Sequence, residues 1–168
     1  SMSRTSTKPA GGPSSSPAIS GGRVYIGCNS GRYYCIDPSL PDTAPPVWTF
    51  QTAGSVRLSS PLVAGSYVYL LPGGSDNLLY RVHTDSGQWG TNWTSAAPEP
   101  PLAPDWVTTR RPVSSPVLAG NYIVFVMRFD HYRDTDGDWV NDTVDMKEYL
   151  FAVDLNGAPA PWSPFFLG

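Results

Sequence analysis

The chain has 168 residues, of which 18 are Pro and 16 Gly, with 12% aromatic and only 15% charged side chains. Its 11 basic and 14 acidic residues give a formal net charge of −3, which argues against the basic footprint of a nucleic-acid-binding surface. It contains no run of about 18 apolar residues, so no segment is built to cross a membrane as a helix.

Frequent turn formers between aromatic and β-branched stretches predict an all-β fold. Residues 1–14 are rich in Ser, Thr, Gly and Pro and predict a disordered lead-in. Ser1-Met2 has the look of a cloning remnant, so the lack of a secretion signal carries no weight.

The first patterned stretch reads SSPAISGGRVYIGCNSGRYYCID from Ser15 to Asp37. It predicts an inner strand Ser15–Ile19, a turn at Gly21-Gly22, strands Val24–Cys28 and Tyr33–Asp37, and an outer strand Val47–Phe50. The last two are joined by an unusually long turn, Leu40–Pro46. With Ser30-Gly31 at the centre of the hairpin turn, Cys28 is expected opposite Tyr33 and Cys35 opposite Ile26. That diagonal spacing sits at or beyond the limit for a disulfide, so two buried thiols are the expectation.

A second stretch, SSPLVAGSYVYLLPGGSDNLLYRVH from Ser59 to His83, follows the same plan. After it, Ala96–Asp105 with its four prolines predicts an extended linker or contact loop, and Arg110-Arg111 a solvated turn. The sequons at Asn92 and Asn141 fall on a strand and in an acidic loop and are read as coincidental. The third stretch opens SSPVLAGNYIVFVMRFD at Ser114–Asp130 and resumes EYLFAVD at Glu148–Asp154, with a hairpin insertion between.

The anchoring prolines Pro17, Pro61 and Pro116 are 44 and 55 residues apart. A period of about 40–50 residues with four short strands per unit is the mark of a β-propeller. The expectation is three four-stranded antiparallel blades, a half-propeller, at about 15–55, 57–95 and 112–166 within 15–168. The pattern Ser-Ser-Pro, then Val24-Tyr25-Ile26-Gly27, Val68-Tyr69-Leu70 and Val124-Phe125-Val126, recurs with Leu79-Tyr80, Leu150-Phe151-Ala152-Val153-Asp154 and later tryptophans. It resembles the quinoprotein (PQQ-like) repeat from Ser15 to Phe166. The resemblance implies that Trp48, Trp93 and Trp162 are outer-strand side chains docking between blades, each indole N–H meeting a backbone acceptor. Cys35 and Arg81 stand where the repeat has a small residue, and His83 where it has Asp.

In the third repeat the insertion carries Asp134, Asp136, Asp138, Asp142 and Asp145, at relative positions 1, 3, 5, 9 and 12. Val140 at position 7 offers a carbonyl. Alternating carboxylates fold hard oxygens around one point, which is what Ca²⁺ requires. The spacing resembles the calcium loops of integrin-type propellers, dockerins and thrombospondin repeats. It departs from them at Trp139, where glycine is usual, and at Asp145, where a longer Glu is usual.

His83 and His131 are read as surface or turn residues, since neither has a partnered nucleophile in the sequence. Without a Gly-x-Ser-x-Gly elbow, no catalytic residue is expected. The leading expectation is a non-catalytic, calcium-stabilised binding or scaffold module, extracellular, periplasmic or cell-surface. Three blades do not close a ring, so the remaining blades of a longer propeller, or a homo-oligomer, are expected as partners, with a protein or glycan as ligand. Two other readings are a fragment of a quinoprotein dehydrogenase and a carbohydrate-binding propeller using Trp89, Trp106 and Trp139. The dehydrogenase would need a PQQ-sandwiching Trp, a disulfide between adjacent cysteines, and a catalytic Asp.

Overall fold

The computed structural model describes residues 12–56, 59–73, 78–90, 93–94, 107–133, 136 and 143–168. They form three antiparallel sheets. The first contains β1 (Ala18–Ser20), β2 (Arg23–Gly27), β3 (Arg32–Ile36) and β4 (Trp48–Gln51) in sequential order. The second contains β5 (Leu62–Ala64), β6 (Tyr67–Leu70), β7 (Leu78–His83) and β8 (Trp93–Thr94). The third contains β10 (Val117–Ala119), β11 (Tyr122–Arg133), β12 (Thr143–Asp154) and β13 (Phe165–Phe166), with β9 (Val107–Pro112) added alongside β11. Each sheet is one blade. Residues 12–14, expected to be disordered, belong to the folded part: Pro13 bridges to Cys28 and the Ser14 amide donates to the Gly27 carbonyl at 3.0 Å.

The two-residue alternation of side chains decides what each blade buries. In the middle blade Val68, Leu70, Tyr80 and Val82 point to the first blade, where they meet Tyr25, Tyr33, Cys35, Trp48 and Phe50. The intervening Tyr69, Leu71 and Leu79 point to the third blade, against Ile123, Phe125, Met127, Phe151 and Val153. A sheet apolar on both faces must be covered on both, which is why VYLL and LLY read as nearly continuous hydrophobic runs.

The repeated Ser-Ser-Pro has a distinct task for each serine. The first closes its own blade: Ser15 Oγ accepts from the Gly27 amide at 3.0 Å, and Ser114 Oγ from the Val126 amide at 2.9 Å. The second stitches neighbouring blades: the Ser16 amide donates to Ser60 Oγ at 3.1 Å, and the Ser60 amide to Ser115 Oγ at 2.9 Å. At the opposite rim a second link repeats. The carbonyl just past the third strand, Thr84 in one blade and Leu155 in the next, accepts from the preceding blade. The donors are Trp48 Nε1 at 2.8 Å and Arg81 Nη1 at 2.6 Å. Trp48 therefore docks between blades as its position in the repeat implies, lying on Gly87. A Cβ at Gly87 would come within 2.7 Å of the Trp48 ring. Arg81, a departure from the repeat pattern, supplies the same bond at the next junction.

Several local expectations are corrected. Gly27 lies opposite Tyr33 and Cys35 opposite Tyr25, one residue off the expected register. The turn holds three residues, Asn29–Gly31, closed by the Gly31 amide on Cys28 O and the Cys28 amide on Arg32 O, with Gly31 at φ 79°. Such three-residue hairpins add a bulge that shifts every later pair by one. Cys28 and Cys35 are free, buried thiols, as expected. Trp162 is not on an outer strand: it sits in a turn, about half exposed, and Phe165–Phe166 form the outer strand instead. Arg110 and Arg111 lie on β9, not in a solvated turn, because that segment finds a partner in the lengthened β11. His131 is 1% exposed rather than on the surface. His83 does end a strand next to a turn, edge-on to Tyr67 at 5.5 Å. The backbone of Trp93 forms part of β8, while the loop 96–105, Trp106 and Trp139 lie outside the described residues.

Burial sets the response of these cores to alkali. It pushes the phenols of Tyr25 and Tyr69 above their ordinary value of 10.0, and the thiols of Cys28 and Cys35 above 9.0. The folded state keeps these protons where the unfolded chain releases them. Their contribution to stability is therefore complete below 9.0 and is lost as pH rises through the elevated folded values. The urea midpoint should fall steadily above about pH 9, and a midpoint level through that range would contradict this coupling.

Candidate functional site

The insertion in the third blade is an outgrowth of its second and third strands. β11 and β12 each run for 12 residues and pair without interruption from Tyr122↔Asp154 to Arg133↔Thr143. β9 follows the outer half, from Met127↔Pro112 to Tyr132↔Val107. Beyond Met127 the blade thus continues as a three-stranded stem. Its sequence, RFDHYR after YIVFVM, keeps the strand period while exchanging apolar for polar side chains.

On one face of β11 the stripe Ile123, Phe125, Met127, Phe129 ends in His131. The Arg110 guanidinium lies 5.6 Å over the Phe129 ring, and Tyr149 meets that ring edge-on at 5.5 Å. His131 is opposite Asp145 on β12 and Thr108 on β9. Asp145 is ion-paired to Lys147 at 2.9 Å. That hydrogen bond, together with the carboxylate charge, raises the lysine above its ordinary 10.5.

On the opposite face Asp130 is buried and held by two guanidinium groups, Arg128 Nε at 2.6 Å and Arg111 Nε at 3.2 Å. A buried carboxylate persists only when charge-assisted partners satisfy it. Here those partners come from β11 itself and from β9, so the group fastens the added strand to the stem. The sequence reading missed this cluster. Its signal was a polar Arg-x-Asp placed on one face of an otherwise apolar strand, facing an Arg on a segment rich in Val and Thr.

The nine residues 134–142 join the last stem pair, Arg133 and Thr143. Asp134, Asp138, Val140 and Asp142 lie outside the described residues. Asp136 is exposed at a bend, and Asp145 lies inside β12. Among the described residues no three metal-ligating side chains converge. The stem therefore brings the two ends of an acid-rich connection together, and Asp145 is already engaged with Lys147.

No family model matches the sequence, and no curated protein matches it. The fold has solved counterparts. Quinohemoprotein alcohol dehydrogenase from Comamonas testosteroni superposes with a TM-score of 0.65 at 13% identity, over 96% of this chain and 22% of that one. A europium-containing methanol dehydrogenase gives 0.61 at 10% identity, over 92% and 25%. The chain spans about a quarter or less of the length of either. The chain is an all-β protein of three antiparallel blades, with the architecture of a partial stretch of a PQQ-type propeller.

Proposed function

We propose that the chain is a non-catalytic binding or scaffold module, ordered by calcium at the end of its stem and completed on its outer faces by further blades. The observation that supports this most is the unbroken hairpin of β11 and β12, which brings Arg133 and Thr143 together with four aspartates between them. Those carboxylates and the Val140 carbonyl are hard oxygen donors of the kind calcium takes in sixes to eights. Asp145, committed to Lys147, is the least available member of the set. Bound calcium would supply the positive charge that lets several carboxylates share one turn. A loop of this kind binds in the range of about 10⁻⁴–10⁻³ M, which suits an extracellular, periplasmic or cell-surface setting. The ligand in this reading is a protein or glycan that meets the projecting stem.

Thermal unfolding in EDTA and in excess calcium tests the metal. At roughly ten times the dissociation constant, calcium should add about 1.4 kcal/mol of stability. Asp136→Ala should abolish that gain and leave the melt in EDTA unchanged. An identical melt with and without calcium would remove the metal from the proposal.

A further inference from the structure

The two blade junctions within the chain use one set of contacts, and the two outer faces carry its unmatched halves. Along the inner rim each second serine donates its amide to the next blade and accepts from the blade before. Among the described residues this ladder stops at the Ser16 hydroxyl on one side and the Ser115 amide on the other. The first lacks a donor and the second an acceptor.

On the opposite rim the acceptor half of the second link is present. By strand register, Ile36 on the first blade corresponds to Val82 and Val153 on the others, each opposite the second residue of its blade's second strand. The Pro38 carbonyl thus corresponds to Thr84 O and Leu155 O, the two acceptors already used. Beside it opens a cleft of about 360 Å³ lined by Tyr34, Ile36, Pro38, Leu40 and Pro41. At the far end of the chain, Ala160 donates its amide to Ala152 O as Val47 does to Cys35 O. Trp48 comes directly after Val47, whereas Pro161 comes directly after Ala160 and Trp162 stands one residue further on, in the turn, 48% exposed.

The apolar positions agree. Val63, Val68, Leu70 and Val82 of the middle blade pack against the first blade. Their counterparts on the first blade are Ile19, Val24, Ile26 and Ile36, and Ile19 is 75% exposed. Ala18 and Leu62 face the following blade in their own sheets, and their counterpart Val117 is 54% exposed. A large uncovered apolar face is a standing invitation to association.

We propose that a second copy of this chain docks head to tail, the third blade of one copy against the first blade of the other. The Ser115 amide then donates to Ser16 Oγ, Val117 meets Ile19, and the outer face of the third blade covers the Pro38 cleft. Because donor and acceptor lie on opposite faces, the contact is heterologous, and two copies close it twice into one ring. This rests on reading the chain as an open set of blades and is independent of the calcium loop.

Sedimentation of the full chain, with calcium and with EDTA, tests it. The wild type should sediment at twice the chain mass. Ile19→Glu and Val117→Glu should each sediment as single chains, with association weakened at least about tenfold. Mixing the two variants should restore a two-chain species, because the intact first blade of the Val117→Glu copy meets the intact third blade of the Ile19→Glu copy. That recovery also shows that both variants are folded. A wild type that stays single-chain at its highest soluble concentration would overturn the proposal and leave the faces to blades of another origin. A dimer in Ile19→Glu alone would overturn it in favour of a symmetric contact between third blades. A mixture that stays single-chain would sink the head-to-tail pairing. A calcium-dependent melt without any change in mass would separate the two proposals.

Discussion

Trp48→Ala should cost about 3–5 kcal/mol of folding stability, in the range of large aromatic truncations in well-packed cores. Trp48 is 7% exposed, tilted against Tyr25 at 5.8 Å and resting on Gly87 of the next blade. Its removal opens a gap between two sheets that have little other means of closing it, since their strands are pinned by separate hydrogen-bond ladders. The lost indole bond matters less, because the Thr84 carbonyl keeps a second donor in Arg23 Nη1 at 3.1 Å. Trp48→Phe separates the two effects: it keeps most of the ring and should lose only about 1 kcal/mol beyond the smaller buried area. Urea unfolding of both variants would show the ordering. Equal losses would mean that the hydrogen bond, not the packed ring, holds the first junction.

Gly31→Ala should be of similar size for a different reason. The turn places Gly31 at φ 79°, where an L side chain is strained by about 1–3 kcal/mol. A Cβ there would also stand 2.4 Å from the Gly54 carbonyl, 3.0 Å from Gln51 Nε2 and 3.2 Å from the Thr52 carbonyl. Two of these neighbours are backbone atoms of the strand exit that Thr52 ties down, its single hydroxyl proton shared between Gly31 O and Gly54 O, each 2.8 Å away. The Gly54 carbonyl cannot withdraw without giving up its hydroxyl donor, nor the Thr52 carbonyl without giving up Gln51 Nε2 at 3.0 Å, so overpacking adds about 1–3 kcal/mol more. A sharp drop in the urea midpoint is the expected result. A loss under about 1 kcal/mol would mean that the turn relaxes freely and that its register is not fixed by this contact.

What the sequence made legible was whatever repeats. Ser-Ser-Pro recurs because each serine has a fixed partner one strand or one blade away, and Val-Tyr and Leu-Tyr recur because the same two faces are buried in every blade. Trp48 was readable for the same reason. Trp162 looked equivalent by spacing, but strand pairing places the outer strand three residues later and leaves the ring without a neighbouring blade to cover it. The shift at Cys28 and Cys35 was not legible because the difference between a two- and a three-residue turn lies in the φ of Gly31, not in its identity. Arg81 read as a departure from the repeat, and it donates to Leu155 O, the carbonyl that corresponds to the one Trp48 meets at Thr84. Arg110-Arg111 read as a turn and His131 as a surface residue because a segment outside the period shows no partner until the strand it joins is seen to run on. The acidic spacing was plain from the start. The hairpin that carries it was also expected, but not that its strands run on unbroken from the blade with β9 paired alongside.

The evenness of that stem restricts how it can vary. Its pairing contains no bulge from Tyr122 to Arg133, so each added residue turns every side chain beyond it to the other face. One residue inserted after Met127 would carry Asp130 away from Arg111 and turn His131 out of the apolar stripe. Lengthening or shortening therefore has to come in steps of two residues, made together in both long strands and matched in β9. The rule holds as far as the last pair, Arg133↔Thr143.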